Sequence, residues 1–213
     1  MARDLRSKPT DAPNQTFHVT SHGVGPLKPF LRNIDKREFL GRLSWYLSPT
    51  VTRDAKRRPY AQLFEEVAVL AYCVLDNHFH LIVHQYSADG MRKLMSRVLS
   101  GYGKYYNREH NWRGPIFKAR YEADPLRGPD HMKEMLGYAI LNHPIAQLDY
   151  EFCSNAIHVG ERNSHWVRND LTMNVFSGVD GYREYMNRTG PARVEAKLKQ
   201  WGIDPRLHPY RPI

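Results

Sequence analysis

The chain has 213 residues, 41% of them apolar, which suits one domain with an extension and argues against wholesale disorder. Lys and Arg number 31 against 22 acidic residues, and the formal net charge of +9 favours a polyanion partner, nucleic acid first. Two cysteines, Cys73 and Cys153, exclude a disulfide framework or a cysteine zinc site, and the lack of an apolar N-terminal core or membrane-length run points to a soluble, cytoplasmic protein.

Residues 1–15, with Pro9 and Pro13, read as a flexible leader. A short β-type run, Thr16 to Thr20, is followed by a loop broken by Gly23, Gly25, Pro26 and Pro29. The first helix is expected to be capped at Asn33 or Asp35. Phe39, Leu40, Leu43, Tyr46 and Leu47 give its buried stripe, and Pro49 stops it. After the basic linker Arg53 to Arg58, apolar runs flank Asp76-Asn77, two residues that tolerate tight turns. This predicts a hairpin, with Val67 to Leu75 as one strand and His78 to Val83 as its antiparallel return. Asp89 then opens a helix with Met91, Leu94, Met95, Val98, Leu99 and Tyr102 on its apolar face. The other face carries Arg92, Lys93, Arg97, Lys104 and Arg108. Such a helix fits between a core and a phosphate backbone, and a merely solvated face explains it as well.

Ile116 to Ala123, containing Lys118 and Arg120, reads as another strand. Gly128-Pro129-Asp130 opens a third helix with Met132, Met135, Leu136, Ala139 and Ile140 inward. It is expected to end near Asn142-His143, because the residue before Pro144 is pushed out of the helical region. The remainder, 149–213, is expected to be a small, mostly helical extension with short helices at Gly181 to Arg188 and Ala192 to Trp201 and a Pro-rich tail. The order β-α-β-β-α-β predicts an α+β fold: a ferredoxin-like antiparallel sheet with helices on one face.

Alternation along a strand places His78 and His80 on one face, a natural pair of nitrogen ligands, although an isolated His-x-His is more often a pair of ordinary surface or hydrogen-bonded histidines. Tyr138 and Asn142, four apart on the third helix, lie about 40° from each other around its axis. Taken singly, that tyrosine reads as a packing residue and that asparagine as a helix cap. Together with two imidazoles, the Asn142 oxygen would leave room for water and a phosphate oxygen on Mg²⁺ or Mn²⁺.

The motifs Phe17-His18-Val19-Thr20, Asp35 to Leu40, Ala71 to Val83, Tyr105-Tyr106-Asn107-Arg108, Gly114 to Tyr121 and Tyr138 to Pro144 stand in order along the chain. In these the chain resembles the HUH single-tyrosine transposases, most closely the REP-associated tyrosine transposases, over roughly Thr16 to Leu148, with weaker likeness from His165-Trp166-Val167 to Tyr182. Three positions depart from the family pattern. Asp76 stands where proline is usual, Lys118 where glutamine is frequent, and His143 separates Asn142 from Pro144. The resemblance implies cleavage and rejoining of single-stranded DNA at hairpin-forming repeats through a 5′-phosphotyrosine. Tyr138 would be the nucleophile, and His78, His80 and Asn142 would hold Mg²⁺ or Mn²⁺. Arg92, Lys93, Arg97, Lys104, Lys118 and Arg120 would contact phosphates, in a monomer or a homodimer. Two rival readings stand beside this one. A two-histidine phosphoesterase is matched by His18-Val19-Thr20 but not by His78-Phe79-His80, where His80 replaces the hydroxyl residue. The other is a domesticated protein that binds DNA or RNA hairpins without cutting.

Overall fold

The computed structural model describes residues 12–118, 120–146 and 150–200, with α3 side chains as far as Leu141. Most of the expected leader (1–11) and the Pro-rich tail lie outside the described residues. Strand β1 (Gln15–His22) leads through a loop to α1 (Asn33–Leu47). The hairpin follows as β2 (Val67–Val74) and β3 (His78–Gln85), then α2 (Gly90–Glu109), β4 (Glu122–Pro125) and α3 (Gly128–Ala146). A 3₁₀ turn (Tyr150–Phe152) precedes α4 (Asn155–His158), α5 (Asn169–Phe176) and α6 (Val179–Gln200). The sheet order is β2-β3-β1-β4 and each pairing is antiparallel, so the α+β, ferredoxin-like expectation holds.

Alternation sorts the sheet into two faces. Phe17 and Val19 of β1 and Phe79, Leu81 and Val83 of β3 bury against Phe39 and Leu43 of α1 and Met91, Leu94 and Val98 of α2. The rings of Phe30, Phe39, Phe79 and Tyr102 interlock there, and the Tyr102 hydroxyl donates to the Pro29 carbonyl at 2.5 Å. Tyr102 is thus the core residue its position in the apolar stripe predicts. The expected helices on one face are α1 and α2. The opposite face also carries helices, because α3 lays Leu136, Ala139 and Ile140 on Ala68, Leu70 and Ile82, and α5 and α6 join it through Phe176, Tyr182 and Met186. β2 is therefore apolar throughout, being buried on both faces. A register shift between Val69 and Ala71 turns Leu70 and Ala71 to the same side, as a bulge does.

β2 is the last strand of its sheet, yet its outer edge is covered. The Ser154 amide donates to the Tyr72 carbonyl at 3.0 Å, and the Ser154 hydroxyl accepts from the Tyr72 amide at 3.0 Å. Arg168 N–H and the Thr172 hydroxyl reach the Val69 and Leu70 carbonyls, so the segment after α3 occupies groups that would otherwise template aggregation. Ser154, His158 and Asn169 form a hydrogen-bonded file with contacts of 3.0 and 2.7 Å. It looks like a nucleophile-and-base arrangement, but Ser154 and His158 are fully buried, which makes it a structural staple. Burial, only partly offset by the bond to Asn169 and reinforced by the Arg162 charge, lowers the His158 pKa to about 4. The unfolded chain then binds a proton between about pH 6.5 and 4 that the folded chain refuses. Stability is expected to fall over that window as pH drops, by as much as roughly 3 kcal/mol from this group, measurable as a shift in the urea midpoint.

Four local expectations are corrected. The α1 cap position is Arg32, one residue before the earliest expected cap, with Asp35 in the first turn. The strand expected at Ile116 to Ala123 is displaced to β4. Ile116 and Phe117 instead dock into the aromatic core, with Val24 N–H on the Ile116 carbonyl, and the ladder starts only at Glu122. Helix α3 continues through Pro144 to Ala146. The proline lacks the N–H that would bond the Ile140 carbonyl, and the Cys153 thiol donates to that carbonyl at 3.4 Å. The two short C-terminal helices are one helix, α6, with Pro191 inside it, held by Tyr182 and Met186 on one side and by Arg193 paired with Glu134 (3.2 Å) on the other. Trp201 lies outside the described residues.

Candidate functional site

The β1–β3 register sets Thr20 opposite His80 and His22 opposite His78, with His18 opposite Ile82. Since Phe17, Val19, Phe79 and Leu81 face α1 and α2, the histidines of both strands face α3. His78 and His80 share this face as alternation predicts. Their Nε2 atoms lie 3.0 Å apart. The Nδ1 of His78 contacts Asn77 Oδ1 at 2.7 Å, and the Nδ1 of His80 contacts His18 Nε2 at 2.9 Å. His22 stacks on His78, ring centres 4.5 Å apart. His18 is 7% and His80 3% exposed. Burial pushes the His18 pKa down to about 4, against the charge of Asp124 directly across the ladder and with that of His131, so His18 is neutral near pH 7.

Helix α3 brings Tyr138 to this cluster. With Leu136, Ala139 and Ile140 committed to the sheet, half-buried Tyr138 presents its ring edge-on to His80 at 5.3 Å and to His18 at 5.8 Å. Asn142 follows one turn later on the same helix, and its side chain lies outside the described residues. Among the described residues no group of three His, Cys, Asp or Glu is set to hold a metal ion. What fits one is the pair of converging imidazole nitrogens.

The hairpin tip beneath His78 is fastened from three sides. Gly23 and Phe30 amides donate to the Asn77 and Asp76 carbonyls at 2.8 and 2.9 Å, and the buried Lys36 ammonium pairs with the Asp76 carboxylate at 2.8 Å. A Cβ on Gly23 would lie 2.1 Å from the Leu27 carbonyl oxygen, so that close approach requires glycine. Asp76, where proline stands in the family pattern, is thus a carboxylate that Lys36 grips.

The six expected phosphate-contacting cations lie on two elements, α2 and the loop before β4. Lys118 donates its amide to the His22 carbonyl at 2.8 Å, which places its backbone beside the histidines, whereas exposed Arg120 shares the neighbourhood of Tyr121 with Arg92. Arg92, Lys93, Arg97 and Lys104 lie on α2, across the sheet from the site. There Arg92 pairs with Asp89 and Lys93 with Glu66. Sequence reasoning named His18 only in the rival phosphoesterase reading and the resembling motif, and did not single out His22. Their signal was present, since His18, Thr20 and His22 recur at every second position, but the strand was expected to end at Thr20 and it extends to His22.

No protein-family profile matches the chain, and no curated protein matches it. A solved structure of a REP-associated tyrosine transposase bound to a REP hairpin is similar at a TM-score of 0.48 and 15% identity, over 73% of this chain and 87% of that one. Among the described residues no helix is long and apolar enough to cross a membrane.

Proposed function

We propose that the chain cleaves and rejoins single-stranded DNA next to a hairpin, with Tyr138 as nucleophile. The observation that carries this reading is the tyrosine set edge-on against a histidine pair whose Nε2 atoms converge within 3.0 Å. Mg²⁺ or Mn²⁺, held by His78 and His80 with Asn142 as third protein ligand, would polarise a phosphate oxygen. The Tyr138 hydroxyl gives up its proton and its oxygen attacks phosphorus; the new O–P bond forms as the bond from phosphorus to the neighbouring nucleotide's 3′-oxygen breaks, and that oxygen takes up a proton. The product is a 5′-phosphotyrosine and a free 3′-hydroxyl. The phosphodiester energy is kept in the covalent intermediate, so rejoining needs no nucleotide cofactor. Lys118 would hold the strand at the histidines, with Arg120 and the α2 cations meeting DNA that wraps further around the protein. The two-histidine phosphoesterase reading fits less well, because the His18 Nε2 is turned onto His80.

The test is incubation of the protein with a labelled single strand carrying a hairpin from the flanks of its own gene, in Mn²⁺. A covalent protein–DNA adduct stable to denaturing electrophoresis is expected. Tight, reversible binding with no adduct would instead support the non-cleaving hairpin-binding alternative.

A further inference from the structure

Three tryptophans lie among the described residues, and two of them are stacked. Trp45 lies on Tyr60 with ring centres 5.1 Å apart, and Trp166 on Tyr72 at 5.2 Å. The third, Trp112, is 40% exposed, and among the described residues no other ring stacks on it. The local structure uses only its backbone. The Trp112 N–H donates to the Asn107 carbonyl at 2.9 Å, and the Asn107 side-chain amide donates to the Gly114 carbonyl at 3.2 Å. Almost any residue supplies that backbone N–H, so closing the end of α2 does not call for an indole. The turn, pinned in this way, holds a large apolar ring in water, where it gains little from burial.

This turn stands at the same end of the sheet as the histidines. His110, two residues before Trp112, contacts buried Asp35 at 3.1 Å. The next residue of α1, Lys36, pairs at 2.8 Å with Asp76, in the turn that carries Asn77 and His78. In the other direction the chain runs from Trp112 to Lys118, whose amide donates to the His22 carbonyl. Six residues span at most about 22 Å. Arg108, Arg113 and Lys118 are exposed along this stretch and enter no ion pair among the described residues. The neighbouring acid, Glu109, is turned to Arg32 at 3.5 Å. Leu31 and Ile34 are also exposed, at the start of α1, but a second copy of the chain docking here would bring these cations against its own excess of like charge.

A flat exposed ring flanked by cations matches a nucleobase and the phosphates on either side of it, because every base has a π-face and every phosphate a charge. We propose that Trp112 is a stacking platform for an unpaired base of the DNA, with Arg108 and Arg113 holding the adjoining phosphates, an inference that rests on the single-strand reading above. Such a contact adds affinity at a base without reading its identity.

The test measures binding of a labelled oligothymidylate to the full chain by fluorescence anisotropy, with divalent cations chelated so that no cleavage intervenes. Trp112→Ala is expected to weaken binding by about 5- to 100-fold, and Trp112→Phe to stay much closer to wild type. On a strand of equal length whose sugars carry no bases, wild type and Trp112→Ala are expected to bind alike. Arg113→Gln should weaken binding of both strands, with a salt slope shallower by about 0.7. Thermal melts check that each variant folds.

Equal affinity of wild type and Trp112→Ala for oligothymidylate would overturn the platform, as would an equal loss on the base-free strand. A Trp112→Ala variant that changes the sedimenting mass of the protein but not its DNA affinity would overturn it in favour of contact between copies. The covalent-adduct assay, run beside these measurements, separates the platform from the cleavage reading. An adduct from wild type with unchanged affinity in Trp112→Ala overturns the platform alone. Base-dependent binding through Trp112 without an adduct supports the platform and tells against cleavage. A wild type that binds neither strand and gives no adduct overturns both.

Discussion

Tyr138→Phe is expected to fold, bind hairpin DNA and give no covalent adduct. The substitution removes one oxygen from a half-buried ring whose edge-on contacts with His18 and His80 are made by the ring itself. Phenylalanine keeps those ring contacts, so the variant should fold, which a thermal melt checks. Tyr105 and Tyr106, which stand side by side in the Tyr105 to Arg108 motif, lie on α2 across the sheet. The Tyr105 hydroxyl donates to Asp35 at 2.9 Å, and Tyr106 stacks on His110 with ring centres 4.0 Å apart. Tyr105→Phe and Tyr106→Phe should keep the adduct. The readout is the labelled strand shifted with the protein on a denaturing gel. An adduct that survives Tyr138→Phe and disappears in Tyr106→Phe would move the site to the other face of the sheet.

Asp35→Ala is expected to give the largest loss of stability, about 3 kcal/mol, or a melting temperature lower by roughly 10 °C. Asp35 is fully buried at the first turn of α1, where its carboxylate accepts from Arg32 at 2.9 and 3.0 Å, from Tyr105 at 2.9 Å and from His110 at 3.1 Å. Removing it strips the acceptor from three donors and unties the start of α1 from the end of α2. Burial alone would raise its pKa, but the hydrogen bonds from Arg32, His110 and Tyr105 outweigh that and hold it below the ordinary value. A depressed carboxyl stabilises the fold above its unfolded pKa, and that contribution disappears as pH falls through the folded one. The variant should therefore lose part of the acid sensitivity of the wild type. The cluster lies on the α1–α2 side, so adduct formation below the melting temperature should persist. A melting temperature within about 2 °C of wild type would show that the cluster contributes little.

What the sequence determined by itself was local. Asp76-Asn77 between apolar runs specifies the hairpin, and a side-chain period of two puts His78 and His80 on one face whatever surrounds them. The stripe from Met91 to Tyr102 likewise needs only the helical period to be recognised, and the order of elements is enough for the ferredoxin-like topology. Other features depended on partners far along the chain. His18 meets His80 because the ladder between β1 and β3 aligns residues 62 apart, and register is set by which face each strand buries, which no window of sequence contains. Pro144 does not stop α3, where a carbonyl left without its helical donor is met by Cys153 from the following segment. The basic residues read as one surface lie on two elements, since α2 and the loop at Lys118 pack by their apolar residues and carry their charges wherever that packing leaves them. The side to which α3 is committed, by burying Leu136, Ala139 and Ile140 against β2 and Ile82, is what carries Tyr138 to the histidines. Periodicity fixes which residues share a face; only the burial of one element by another fixes which faces meet.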